Sequence, residues 1–73
     1  MLVKGFSPRA FKRERRRAGM RREDVAVELG VSARTVDNWE LGRNEPHRIA
    51  IRAMMQLFGV EEDDLMEEWE ETG

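Results

Sequence analysis

Ala33, Arg34, Asp37 and Asn38 are the residues of this chain whose types and spacing could do the most specific chemistry. At 3.6 residues per turn they share one face of a helix over residues 33–40, opposite Val36 and Trp39. An arginine can donate two hydrogen bonds to guanine O6 and N7. An asparagine can bond adenine N6 and N7, and an alanine methyl can meet a thymine methyl. Asp37 could accept from cytosine N4 or orient Arg34 three residues back. Eight helical residues rise about 12 Å, close to the roughly 12 Å width of a B-DNA major groove. Taken alone, the same face is equally an ordinary solvated helix surface.

Around this face lie groups suited to phosphate oxygens. Arg21 and Arg22 fall near a helix N-terminus, where free N–H groups and the helix dipole attract anions. Ser32, Arg43 and Asn44 add donors on either side of the 33–40 segment, and Lys4 could reach further along a duplex. The run Arg13, Arg15, Arg16 and Arg17 has no assigned role on spacing alone. Catalysis has little to work with. There is no cysteine nucleophile, His47 is the one histidine, and no glycine-rich loop could cradle a nucleotide. A lone histidine without thiolates makes no zinc site either, so no cofactor is expected. The acids from Glu61 to Glu71 would lie all around one helix, which fits a solvated surface better than a metal cluster.

The elements that must position these residues are legible from caps and periodicity. Ser7-Pro8 is a helix start, with Phe11, Arg15 and Ala18 on one face and Gly19 as the stop. A second helix is predicted over 22–29, with Val25, Ala26 and Leu29 inward and Gly30 ending it. Its first turn carries Glu23 and Asp24, which favour the dipole, although Arg21 is a poor cap. Ser32 caps the third helix over 33–40, closed by Gly42. Ile51, Met54, Met55 and Phe58 give the strongest amphipathic pattern, in a fourth helix after Pro46 that Gly59 ends. Leu65 and Trp69, spaced i, i+4 with Met66 beside them, predict a fifth helix behind Glu61–Asp64. Residues 1–6 show no periodicity and are expected to form a flexible N-terminal arm. A domain over 7–66 and an acidic helix end over 67–73 complete the expected organisation. The expected fold is all-α, a compact set of four to five short helices.

Composition bounds the partners. The net charge is −2, yet the signs are segregated. All thirteen Lys and Arg lie in residues 1–53 with seven acids, a net +6, whereas residues 54–73 carry eight acids and no base. Screening over about 8 Å lets a basic face act apart from an acidic tail. With no apolar run of membrane-spanning length and no cysteine, a cytoplasmic protein without a membrane partner is expected.

From Phe11 to Val60 the chain resembles the Cro and phage-repressor (XRE) helix-turn-helix family, aligned without a gap. The resemblance is carried by Phe11, Arg15, Gly19-Met20, Ala26, Leu29-Gly30-Val31-Ser32, Thr35-Val36, Trp39-Glu40, Gly42, Pro46, Ile51, Met54 and Phe58-Gly59-Val60, and Leu65-Met66 continues it. It implies that the second and third helices form the motif, and that Arg15 pairs with Glu40 as a structural tie between the first and third. It further implies a transcription regulator of repressor type, of phage, prophage or related bacterial origin, reading double-stranded DNA through 33–40. Departures are Arg22 where the family usually has Gln, Glu14 and Arg52 at usually apolar positions, and an apolar Val27. So small a domain offers few base contacts, which predicts a homodimer on two half-sites, formed in solution or on DNA. Trp69 on the fifth helix is a candidate interface, and packing over its own core is the equal alternative. The competing function is a protein-interaction module of antitoxin or antirepressor type, docking a basic partner on the acidic C-terminal helix.

Overall fold

Local capping chemistry sets most element boundaries in the computed structural model, which describes residues 1–72. Ser7 Oγ accepts from Ala10 N at 3.0 Å, and Pro8 occupies the first turn of α1, Pro8–Arg17. Helix α2, Arg22–Leu29, starts without a capping hydroxyl. The Asp24 carboxylate instead reaches back to accept from Arg21 N at 2.9 Å. Gly30 ends α2 in the left-handed region at φ 69°, and two residues later Ser32 Oγ accepts from Thr35 N to open α3, Ala33–Glu40. Helix α4 spans Arg48–Phe58 and also ends on a left-handed glycine, Gly59. Ala18, expected inward beside Phe11 and Arg15, is the exposed C-cap of α1.

The four helices close on one apolar core. Phe11, Val25, Val36, Met54 and Leu65 are fully buried, with Ala26, Trp39 and Phe6 almost so. Phe11 is the hub. Its ring centroid lies 5.9 Å from Phe6, 6.1 Å from Trp39 and 5.7 Å from Phe58, the last two meeting it edge to face. This arrangement is the expected helical domain with α2 and α3 as the helix-turn-helix. No helix among the described residues is long and apolar enough to cross a membrane.

Both chain ends depart from expectation. Residues 1–6 are not a flexible arm: Leu2–Phe6 forms strand β1. The predicted fifth helix is a 3-10 turn, Glu62–Leu65, followed by strand β2, Met66–Glu70. The two strands pair antiparallel, with Val3 opposite Trp69, Lys4 opposite Glu68 and Phe6 opposite Met66. The acidic helix end expected over 67–73 is therefore β2 and its exit, and Gly73 lies outside the described residues. Electrostatics supply the physical reason. A helix over 62–71 would crowd like charges at i, i+3 and i, i+4, whereas an extended strand delivers them to cations elsewhere. The Met1 ammonium meets Glu70 Oε1 at 2.9 Å, Lys4 meets Asp63, and Arg9 meets Glu67 at 3.0 Å. The Ser7 hydroxyl and the Arg9 guanidinium hold the Glu67 carboxyl below its usual range.

Trp69 changes role with this correction. Its indole lies over Gly5, where an added Cβ would sit 2.9 Å from Trp69 Cη2. Glycine is what leaves room for the ring. Part of the indole's apolar surface is thus spent within the ribbon, 43% of Trp69 stays exposed, and it is presented from a strand rather than a helix.

Candidate nucleic-acid interface

Helix α3 is fixed from behind and open in front. Val36 and Trp39 are buried, whereas Ala33 and Arg34 are exposed and Asp37 and Asn38 half-buried on the opposite side. The loop after α3 folds back onto the C-terminal end of the helix. The Asn38 carbonyl oxygen accepts from Arg43 N at 2.9 Å and lies 3.5 Å from Asn44 N, which places both loop residues beside the helix. Ser32 stands exposed at the helix start, but its hydroxyl is engaged with Thr35 N and, at 2.9 Å, with Thr35 Oγ1.

A buried ion pair locks α3 to α1. Arg15 Nε donates to Glu40 Oε2 at 2.7 Å and Nη2 to Oε1 at 3.3 Å, with both side chains almost wholly removed from solvent. Arg15 Nη1 donates to the Met20 carbonyl at 2.8 Å, so the guanidinium also ties down the turn between α1 and α2. Two-point arginine–carboxylate contact fixes orientation as well as distance. The structure therefore places Arg15 and Glu40 in the scaffold rather than on the exposed face. Glu14, unusual at an inward position, is also buried. Its Oε2 accepts from Arg13 Nε at 3.1 Å, and Arg17 Nη2 stands 2.9 Å from Oε1 as a charge contact.

At the start of α2 the expected phosphate donors are already paired. Arg21 meets Asp24 at 3.4 Å. The Arg21 N–H and then its guanidinium hold the Asp24 carboxyl below the usual range, and Asp24 raises Arg21 in return. Arg22 Nη1 donates to Asp37 Oδ1 at 3.3 Å, and its Nε lies 3.5 Å from Glu40 Oε1. Asp37 therefore orients Arg22 across the helix pair rather than Arg34 along its own helix. Arg34 and Arg43 make no salt bridge among the described residues.

Lys12 was not among the candidates, yet it lines a cleft of about 150 Å³ with Arg22, Asp37, Glu40 and Leu41. Its position three residues before Arg15 on α1 was the available signal, since that spacing turns both toward α3.

These features define a helix-turn-helix domain with a polar recognition face, and comparison with known proteins agrees. Residues 9–69 match the model of the helix-turn-helix domain family, and the chain belongs to that family. Among solved structures it is similar to the DNA-binding domain of the P22 c2 repressor, determined by NMR. The TM-score is 0.76 at 20% identity, over 84% of this chain and 80% of that one, so the fold is that of a phage-repressor domain. No curated protein matches the chain.

Proposed function

We propose that this protein is a sequence-specific double-stranded DNA-binding transcription regulator, a repressor acting in the cytoplasm as a homodimer. The observation that carries this reading is the polar face of α3, displayed with Val36 and Trp39 buried behind it. Arg34, Asn38 and Ala33 contact base edges in the major groove, with Asp37 beside them. Arg21, Arg22, Ser32, Arg43 and Asn44 hold the flanking phosphates. The likeness in fold to a repressor DNA-binding domain supports the same assignment. An interaction module working through the acidic C-terminal segment is less well supported. Asp63, Glu67 and Glu70 are occupied by the chain's own cations, and the helix that would dock is a strand.

Two substitutions test the division of labour. Arg34→Ala is expected to cost about 1–3 kcal/mol at one base pair and to relax specificity there. Arg43→Ala is expected to weaken all sequences alike and to flatten the salt dependence by about one counterion. Fluorescence anisotropy on a selected duplex and its single-base variants measures both. A uniform loss from Arg34→Ala would remove that residue from the base-reading set. The selection on random duplexes that supplies the site should return palindromes if a dimer binds.

A further inference from the structure

Asp37 is the one carboxylate on the exposed face of α3, and it is held by a cation from another helix. Arg22 opens α2, where backbone N–H groups and the helix dipole already favour a phosphate. Its guanidinium is nevertheless engaged by Asp37 at 3.3 Å, with both side chains a little under half exposed. Glu40 is a second anion for Arg22, its Oε1 3.5 Å from Arg22 Nε, but it is buried and held by Arg15 at 2.7 Å, so the exposed Asp37 is the partner that can be exchanged. We infer that Asp37 sets specificity by competing with the DNA backbone for Arg22. This rests on the DNA-binding reading above.

The physical logic is one of conditional compensation. A phosphate approaching the start of α2 must take Arg22 away from Asp37, and the freed carboxylate then stands in a strongly negative groove. On arbitrary sequence nothing replaces the lost partner. Where a cytosine faces Asp37, its N4 amino group can donate to the carboxylate instead. Asp37 therefore penalises wrong sequences more than it rewards the right one, which is how a repulsive element produces selectivity. Lys12 lines the same cleft and makes no salt bridge among the described residues, so a phosphate seated there meets a second cation.

The test is a double-mutant cycle with random-sequence duplex and the selected duplex, titrated at about 50 and about 200 mM salt. Breaking an exposed pair shifts an equilibrium by up to about fivefold. Asp37→Asn is expected to tighten binding to random duplex about two- to fivefold and to narrow the preference for the selected duplex. Its log K against log salt slope should steepen by up to about 0.9. In an Arg22→Gln background the same substitution should give a smaller gain, because it relieves only the carboxylate's repulsion by the groove and no longer releases a cation. Asp37→Ala, which cannot itself bond a base, should repeat the gain on random duplex, and circular dichroism confirms that each variant is folded. Equal gains with and without Arg22 would show a general charge effect and overturn the inference while leaving DNA binding intact. Weaker binding by Asp37→Asn would overturn it too. Absence of salt-dependent binding by the unsubstituted protein would sink both readings together.

Discussion

Glu40→Ala is expected to destabilise the domain by about 3–5 kcal/mol, because it strands a buried guanidinium. Arg15 keeps its bond to the Met20 carbonyl at 2.8 Å but loses both contacts to the carboxylate. Arg22, whose Nε stands 3.5 Å from Glu40 Oε1, loses a neighbouring anion as well. A domain of this length has a total stability of roughly 4–11 kcal/mol, so the variant sits near the edge of folding. Its melting temperature should fall by more than about 12 °C. Thermal and urea unfolding followed by circular dichroism measure the loss, and a value below about 1 kcal/mol would mean that the pair behaves as an exposed one. Replacing both partners together, Arg15→Met with Glu40→Leu, should recover much of the stability, since no unpaired charge remains. Recovery of stability without recovery of DNA affinity would separate the pair's folding role from its placement of α3.

The order of these effects reflects what kind of information each feature needs. The end of α2 and the start of α3 were legible because their signals are local: Gly30 must turn left-handed, and Ser32 caps three residues ahead. The same holds for Ser7-Pro8. The ribbon offered no such signal. Neither Leu-Val-Lys-Gly-Phe nor Met-Glu-Glu-Trp-Glu alternates cleanly, and Val3 finds Trp69 across almost the whole chain. The i, i+4 spacing of Leu65 and Trp69 fits a helix equally well until the carboxylates around them are given partners. Leu65 in fact enters the core from a 3-10 turn, and Trp69 covers Gly5 from a strand.

The recognition face shows the same division. Ala33, Arg34, Asp37 and Asn38 share one side of α3 as helix geometry requires, so their placement was legible. Their partners were not. The local choice for Asp37 was Arg34, three residues back, yet the fold supplies Arg22 from fifteen residues away. Two helices packed at the turn of the motif bring those side chains together, and no spacing within either helix encodes it. The Arg15–Glu40 pair, twenty-five residues apart, was legible only through resemblance, and Lys12 became visible only once that pair fixed which side of α1 faces α3.

Phe11→Ala should be the most damaging substitution in the apolar core, at about 3–5 kcal/mol. The ring is fully buried and touches an aromatic side chain from three different elements: Phe6 of β1, Trp39 of α3 and Phe58 of α4. Its loss opens a cavity that no single neighbour can fill, because each is anchored to separately constrained backbone. The contact with Trp39 matters beyond stability. That edge-to-face packing supports α3 from behind, so a loosened Trp39 frees the helix to shift, which on the proposed function should lower DNA affinity. Phe11→Leu retains most of the volume and should cost about 1.5 kcal/mol or less. In a Trp69→Phe background, near-ultraviolet circular dichroism reports the environment of Trp39, and duplex titration at low temperature, where both variants are most folded, reports the exposed face of α3. If Phe11→Ala lost less than about 1.5 kcal/mol with an unchanged near-ultraviolet spectrum, the ring would be filler. If stability falls as expected while Phe11→Leu retains DNA affinity, the core's contribution to binding lies in holding α3 still.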